Sequence, residues 1–417
     1  MKLRTLFAAA AFTLVAAHAH ADTLRNGFSV ERLQRLDALL DGYIKDDRIG
    51  GIVALVLRDG KPVYERATGW RDREAGQKMT MDTLFRIASQ SKALTSVAVL
   101  ELMEQGKLTV NDSAGKWIPT FAKTTVLTRS TDGYWSTVPA KRPITIRDLL
   151  THTAGINYGQ EPEFAAQYAP KGLGPAAGFG WYFADKDEPI CATMERLGTL
   201  PFKAQPGEQF VYGYNTDILG CIVEKASGMS LDEYLRTNIT GPLGMKDTAF
   251  YLSAEQAKRL AVVYGNGKDG KLVRAPEGAL GQGHYVDGPR KSFSGGAGLV
   301  SSARDYATFL EALRNGGALG KTRLLAPHTV KLMTTNQIGD LKSPRGLGFG
   351  LGFETHDKYG VSGMASVGSW GWGGAYGSWY RVDPEERLTI VLMIQMIPNE
   401  TDIRDKFDAA VFQALIN

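Results

Sequence analysis

Ser89 and Lys92, in Phe85-Arg86-Ile87-Ala88-Ser89-Gln90-Ser91-Lys92, form an S-x-x-K pair. On a helix, positions i and i+3 share one face, about 5–6 Å apart at Cβ. A lysine one turn on can therefore take the hydroxyl proton of the serine, whose oxygen then attacks an acyl carbon and carries the acyl group as a covalent ester. The spacing alone is common. Ser113-Ala114-Gly115-Lys116 has it too, in a polar, glycine-broken stretch with no helix to orient it, and is read as coincidence. Ser89 instead opens a run (Ala93, Leu94, Val97, Ala98, Val99, Leu100, Leu102, Met103) that is apolar nearly all round and stops at Gly106. That pattern predicts a core-buried helix with Ser89 near the positive end of its dipole.

The flanking elements must hold this helix in place. Leu33, Leu36, Leu39/Leu40 and Tyr43/Ile44 form a helical stripe behind Ser29, an N-cap candidate. Residues 51–57 and 62–69 are β-like runs meeting at Asp59-Gly60, a hairpin signal. Residues 376–382 and 388–393 read as strands around Asp383-Pro384-Glu385-Glu386, and Ile403, Phe407, Ala410/Val411 and Ala414/Leu415 mark a last amphipathic helix. Both ends of the chain thus supply strands and helices to one antiparallel sheet. The expected fold is α/β of the α+β kind: a sheet domain from residues 22–83 and 286–417, a mostly helical domain from 84–285, and the active site between them. Residues 160–181, rich in Gly, Pro and aromatics without periodicity, are read as solvent-exposed packing in preference to the alternative, a loop over a site.

Residues 1–21 have the layout of a secretory signal: Lys2 and Arg4, an apolar stretch from Leu6 to Ala17, and the small-x-small site Ala19-His20-Ala21. The apolar stretch is too short for the ~20 residues of a span, so a periplasmic or secreted protein without a membrane anchor is expected. Loss of Lys2 and Arg4 lowers the net charge from +4 to about +2. That balance, with no basic cluster, argues against nucleic acid as a partner. Cys191 and Cys221 can pair in an oxidising compartment, but Cys221 lies in an apolar helical run where a buried free thiol is equally natural. His152, His284, His328 and His356 lack metal-ligand spacing, so neither a metal nor another cofactor is expected.

Further segments make the Ser–Lys pair specific. They are the helix end Leu149-Leu150-Thr151-His152-Thr153-Ala154-Gly155, the run Pro206 to Gly220 with Tyr212-Gly213-Tyr214-Asn215 before a helix, the run Ser294 to Asp305, and Trp372-Gly373-Gly374-Ala375. In this order they resemble the serine β-lactamase-like superfamily (the class C β-lactamase and D,D-peptidase fold), most closely the family VIII carboxylesterases, over essentially the whole mature chain. The resemblance implies that Ser89 is the acylated nucleophile, that Lys92 is its base or proton relay, and that Tyr212 shares the proton and hands it to the leaving group. A lysine at its ordinary pKa of ~10.4 is a poor base at neutral pH. Burial disfavours its charge and a phenol in contact can share the proton, so the trio is chemically coherent. The oxyanion would be held by the backbone N–H groups of Ser89 and Ala375.

Two departures bear on substrate. Where β-lactamases and D,D-peptidases have Lys/His-Thr/Ser-Gly for the substrate carboxylate, this chain has Trp372-Gly373-Gly374, a motif common in the carboxylesterases. An indole offers a carboxylate no partner but favours an apolar ester. Arg381, further along the next strand, is the candidate replacement cation. Tyr214 stands where class C enzymes have asparagine, with Asn215 beside it, so both join Trp372, Gly373 and Gly374 as expected substrate contacts; Gly213 replaces the family's serine. No G-x-S-x-G elbow of an α/β-hydrolase and no E-x-x-L-N carboxylate of the class A kind occurs. The expected enzyme is a serine hydrolase acting on small, mostly apolar esters. The alternatives are a β-lactamase or D-amino-acid peptidase acting on β-lactams or peptidoglycan peptides, and a non-catalytic peptidoglycan binder on the same fold.

Overall fold

The computed structural model describes residues 23–175, 178–268 and 270–417. The signal-like segment 1–21 lies outside the described residues. Eight strands form one antiparallel sheet: β1 (Gly51–Arg58), β2 (Lys61–Asp72), β3 (Gln77–Lys78), β4 (Gly348–Phe349), β5 (Glu354–Thr355), β6 (Trp370–Gly373), β7 (Trp379–Asp383) and β8 (Leu388–Ile394), in the order β4-β5-β6-β7-β8-β1-β2-β3. The two ends of the chain meet at the β8–β1 pair, where Ile394 opposes Ile52 and Leu388 opposes Arg58. Asp59 and Gly60 close the β1–β2 hairpin with φ of +54° and +72°, the left-handed region such a two-residue turn requires.

Both faces of the sheet are covered, which is why β1 and β8 are apolar at nearly every position instead of alternating. Ile52, Ala54, Val56, Ile390 and Leu392 face α1 (Val30–Lys45) and the C-terminal helix, through Leu33, Leu36, Leu40, Phe407 and Val411. Val53, Leu55, Val391 and Met393 face the opposite core, with Val97, Leu100, Phe309 and Leu310. Each fully buried aliphatic side chain of this kind contributes about 1.5–3 kcal/mol. Ser29 caps α1 by accepting from the Arg32 N–H.

The second core is built around α2 (Ser91–Glu104), α3 (Ile190–Leu197), α4 (Asn215–Ser227) and α5 (Ala303–Arg314). α2 is buried on nearly every side and ends before Gly106, at φ +69°. Cys191 and Cys221 form a disulfide linking α3 to α4. The stretch 160–181 is not solvent-exposed packing: Phe164, Tyr168 and Leu173 are buried in this core, and residues 162–168 are helical. Apolar residues dispersed through a short helix and turns gave no period to read. The C-terminal helix, α6 (Ile403–Ala414), follows the periodicity expected of it.

Candidate active site

Ser89 sits in a single 3₁₀ turn, Ala88–Gln90, just before α2. It is presented by a tight bend: Ala88 has φ +43°, a strained conformation for a residue with a Cβ, of the kind held in place at functional sites. The bend is clamped from two sides. Ile87 N–H donates to the Leu299 carbonyl and Leu299 N–H donates to Ser91 Oγ, both at 3.0 Å. The end of β6 packs on it so closely that a Cβ on Gly374 would lie 2.4 Å from the Ile87 carbonyl oxygen. That contact brings Ala375 to the wall of the cleft that Ser89 also lines.

Lys92, one turn on, is buried, with its Nζ 3.3 Å from Ser89 Oγ. Nζ also donates to the Gly296 carbonyl at 2.8 Å and to the Tyr158 hydroxyl at 3.2 Å. Tyr158 has no place in the motifs read from sequence; the one clue was its position three residues past the Gly155 turn. Burial pushes its hydroxyl pKa well up, and the Tyr212 phenol and the Asp217 carboxylate nearby push it in the same direction. Tyr212 meets Lys92 differently, with its ring centroid 4.6 Å from Nζ and its hydroxyl accepting from Trp372 Nε1–H at 3.1 Å. Gly213, the departure from the family's serine, has a steric reason: a Cβ there would lie 2.2 Å from the Ile156 carbonyl oxygen.

Ser89, Lys92, Tyr212, Trp372, Gly373, Gly374 and Ala375 therefore converge. Tyr214 and Asn215 do not reach the cleft. Tyr214 is buried and its hydroxyl accepts from the Gly174 N–H at 2.9 Å. Asn215 Nδ2 donates to the Ile156 and Val211 carbonyls, both at 3.3 Å, and to His152 Nδ1 at 2.9 Å. Both hold the 149–158 segment against the start of α4. His152, whose pKa burial and the nearby Lys92 lower well below the usual range, packs tilted against Tyr212 at 4.6 Å between centroids. Arg381 is also elsewhere: it pairs with Asp408 through two 2.9 Å hydrogen bonds and donates to His356 Nε2 at 2.6 Å.

The cleft holds about 280 Å³. Trp181, Tyr212 and Trp372 give it an aromatic lining, and Arg345, Glu354 and Arg404 a charged one. Those charges are already matched, Arg345 with Glu354 at 3.3 Å and Arg404 with Asp405 at 3.1 Å. Lys116, of the second S-x-x-K match, is surface-exposed and paired with Asp112.

The beta-lactamase family profile matches residues 36–414, and the chain belongs to that family. It is 34% identical over 376 residues to Esterase EstB of Burkholderia gladioli, covering 86% of this chain and 89% of that one. It is 30% identical over 396 residues to a putative D-alanyl-D-alanine carboxypeptidase of Escherichia coli, covering 88% and 83%. Among solved structures it superposes on EstCE1, described as a hydrolase with promiscuous acyltransferase activity, with a TM-score of 0.76 and 27% identity over 93% of this chain and 99% of that one.

Proposed function

We propose that the protein is an exported carboxylesterase that cleaves small, mostly apolar esters through an acyl-enzyme on Ser89. The observation that carries this reading is the 3.3 Å approach of Lys92 Nζ to Ser89 Oγ at the wall of a cleft faced by Trp372, Trp181 and Tyr212. Lys92 draws the proton from Ser89 as Oγ attacks the ester carbonyl, and Tyr158, bonded to the same nitrogen, shares it. The tetrahedral oxyanion accepts from the backbone N–H groups of Ser89 and Ala375; donors of this kind are worth about 2.7–4 kcal/mol each. Tyr212, held by Trp372 Nε1–H, gives its own hydroxyl proton to the departing alkoxide, and the proton taken up by Lys92 then restores the phenol. Water then repeats the sequence on the acyl-enzyme with the same groups. Export is supported by the N-terminal pattern and by a disulfide suited to an oxidising compartment.

β-Lactam or D-alanyl peptide cleavage is the second reading, favoured by the carboxypeptidase relative. Against it, a substrate carboxylate in the cleft would meet Trp372 and guanidinium groups that already have carboxylate partners. Side-by-side turnover of p-nitrophenyl butyrate and a chromogenic cephalosporin tests the choice. Rapid ester cleavage with slow or no cephalosporin cleavage supports the esterase; the reverse order makes the protein a β-lactamase.

A further inference from the structure

Asp217, in the first turn of α4, is a buried carboxylate that takes no part in the steps above. We infer that Asp217 is a positioning residue for Lys92: acting through residue 296, it aims the lysine's hydrogen-bond acceptor and supplies the buried negative charge that faces the lysine as it takes up the serine proton. This rests on the reading of Ser89 and Lys92 as nucleophile and base.

The connection is short. Asp217 Oδ1 accepts from Ser294 Oγ–H at 2.5 Å and from the Gly296 N–H at 3.1 Å. The same peptide unit is pinned at its other end, where the Gly295 carbonyl accepts from Thr95 Oγ1 of α2 at 2.9 Å. With that unit fixed from both sides, the next carbonyl, that of Gly296, is directed at Lys92 Nζ, its shortest contact at 2.8 Å. Only glycine fits: a Cβ on Gly296 would lie 2.5 Å from Asp217 Oδ2, and one on Gly295 would lie 2.7 Å from the Thr216 carbonyl oxygen.

The charge argument is independent of this geometry. Among the described residues Lys92 has no direct ion pair. The titratable groups facing it are Tyr158, Tyr212 and neutral His152, and Tyr214 faces Asp217 from the far side. Asp217 is thus the carboxylate of the group. Burial raises its pKa, while Lys92, Ser294 Oγ–H and the Gly296 N–H pull it the other way. Its Oδ2 has no hydrogen-bond partner among the described residues, a costly arrangement for a side chain that served only packing.

The test is the rate at which a fluorophosphonate labels Ser89, followed across pH by intact mass. In that reaction the Oγ–P bond forms, the P–F bond breaks, fluoride leaves, and the serine proton passes to Lys92. Asp217→Asn keeps the Oδ1 acceptor and the shape but removes the charge. The plateau labelling rate should fall about tenfold or more. The acid limb should move to lower pH, because the buried negative charge that faces the proton-accepting site is gone. KM for an ester should stay within about twofold. A role in packing alone would lower the melting temperature and leave the acid limb unmoved, and that result overturns the inference. If Asp217→Asn fails to fold, Ser294→Ala serves instead. It removes the 2.5 Å bond that orients the carboxylate and spares every Lys92 contact; slowed labelling supports the inference and unchanged labelling overturns it. Wild-type protein that is not labelled on Ser89 overturns the esterase reading along with this one, whereas labelled wild type with an unaffected variant overturns this one alone.

Discussion

The side-chain nitrogen of Lys92 and the hydroxyl of Tyr158 lie 3.2 Å apart, although 66 residues separate them in sequence. Lys92 thus touches two phenols, one by its hydroxyl and one, Tyr212, by its ring face. In the mechanism proposed above, Tyr158 shares the proton with Lys92, and Tyr212 delivers a proton to the leaving group. Tyr158→Phe and Tyr212→Phe should each lower kcat by about 10²-fold with little change in KM. The double variant should be far less impaired than the product of the two, since both act in one proton relay. Steady-state kinetics on p-nitrophenyl butyrate decide it; an undiminished kcat in Tyr158→Phe would leave Tyr212 as the lone proton partner.

Trp372 acts on Tyr212 through a single 3.1 Å hydrogen bond while its ring packs against Phe349. Trp372→Phe keeps the packing and removes the bond, worth about 0.5–1.5 kcal/mol. That corresponds to a kcat loss of about two- to tenfold with acyl-chain preference unchanged. Trp372→Ala removes the apolar wall as well, so kcat/KM should fall more for butyrate than for acetate esters. A chain-length series on the two variants separates orientation from apolar contact.

Legibility followed the range of the interactions. Leu33, Leu36, Leu40 and Tyr43 recur at the helical period, and Asp59-Gly60 is a local turn, so α1 and the β1–β2 hairpin could be read directly. Ser89 and Lys92 were visible for the same reason, since the contact that matters spans three residues. Tyr158 and Trp181 reach the cleft only through long-range packing of segments without a period. Tyr214 and Asn215 do not share the cleft with Tyr212 because Tyr212 precedes α4 whereas Tyr214 caps it and Asn215 begins it, so nearness in sequence says nothing about facing the same way. Arg381 failed on register: Trp372 opposes Tyr380 and Gly371 opposes Arg381, which puts Trp372 and Arg381 on opposite faces of the sheet.

Glu101 lies on α2, behind the nucleophile, and burial pushes its pKa up to about 8. Its folded pKa exceeds its unfolded value, so the stability tied to its protonated form is fully present below about pH 4.5 and is lost as pH rises towards 8. At about 1.4 kcal/mol per unit the total is at most several kcal/mol. Glu101→Gln should melt at a higher temperature than wild type above neutral pH, with the gap closing towards pH 5. Melting curves that stay parallel across that range would refute this.

The Cys191–Cys221 bridge closes a 30-residue separation and braces α4, the helix that carries Asp217. Replacing both cysteines by serine should cost about 2–4 kcal/mol of stability. Since neither sulfur touches the cleft, kcat at 25 °C should change by no more than a few fold. Thermal melts and initial rates on the same preparation would show whether the bridge is a brace or part of the site.

The central claim is that Ser89 carries the acyl group. Mixing wild-type protein with excess p-nitrophenyl butyrate, quenching in acid within the first turnovers and mapping the peptides by mass should place one butyryl group on the peptide containing Ser89. Ser89→Ala should show neither that adduct nor turnover above background. An adduct on another residue, or esterase activity that survives in Ser89→Ala, would contradict the mechanism outright.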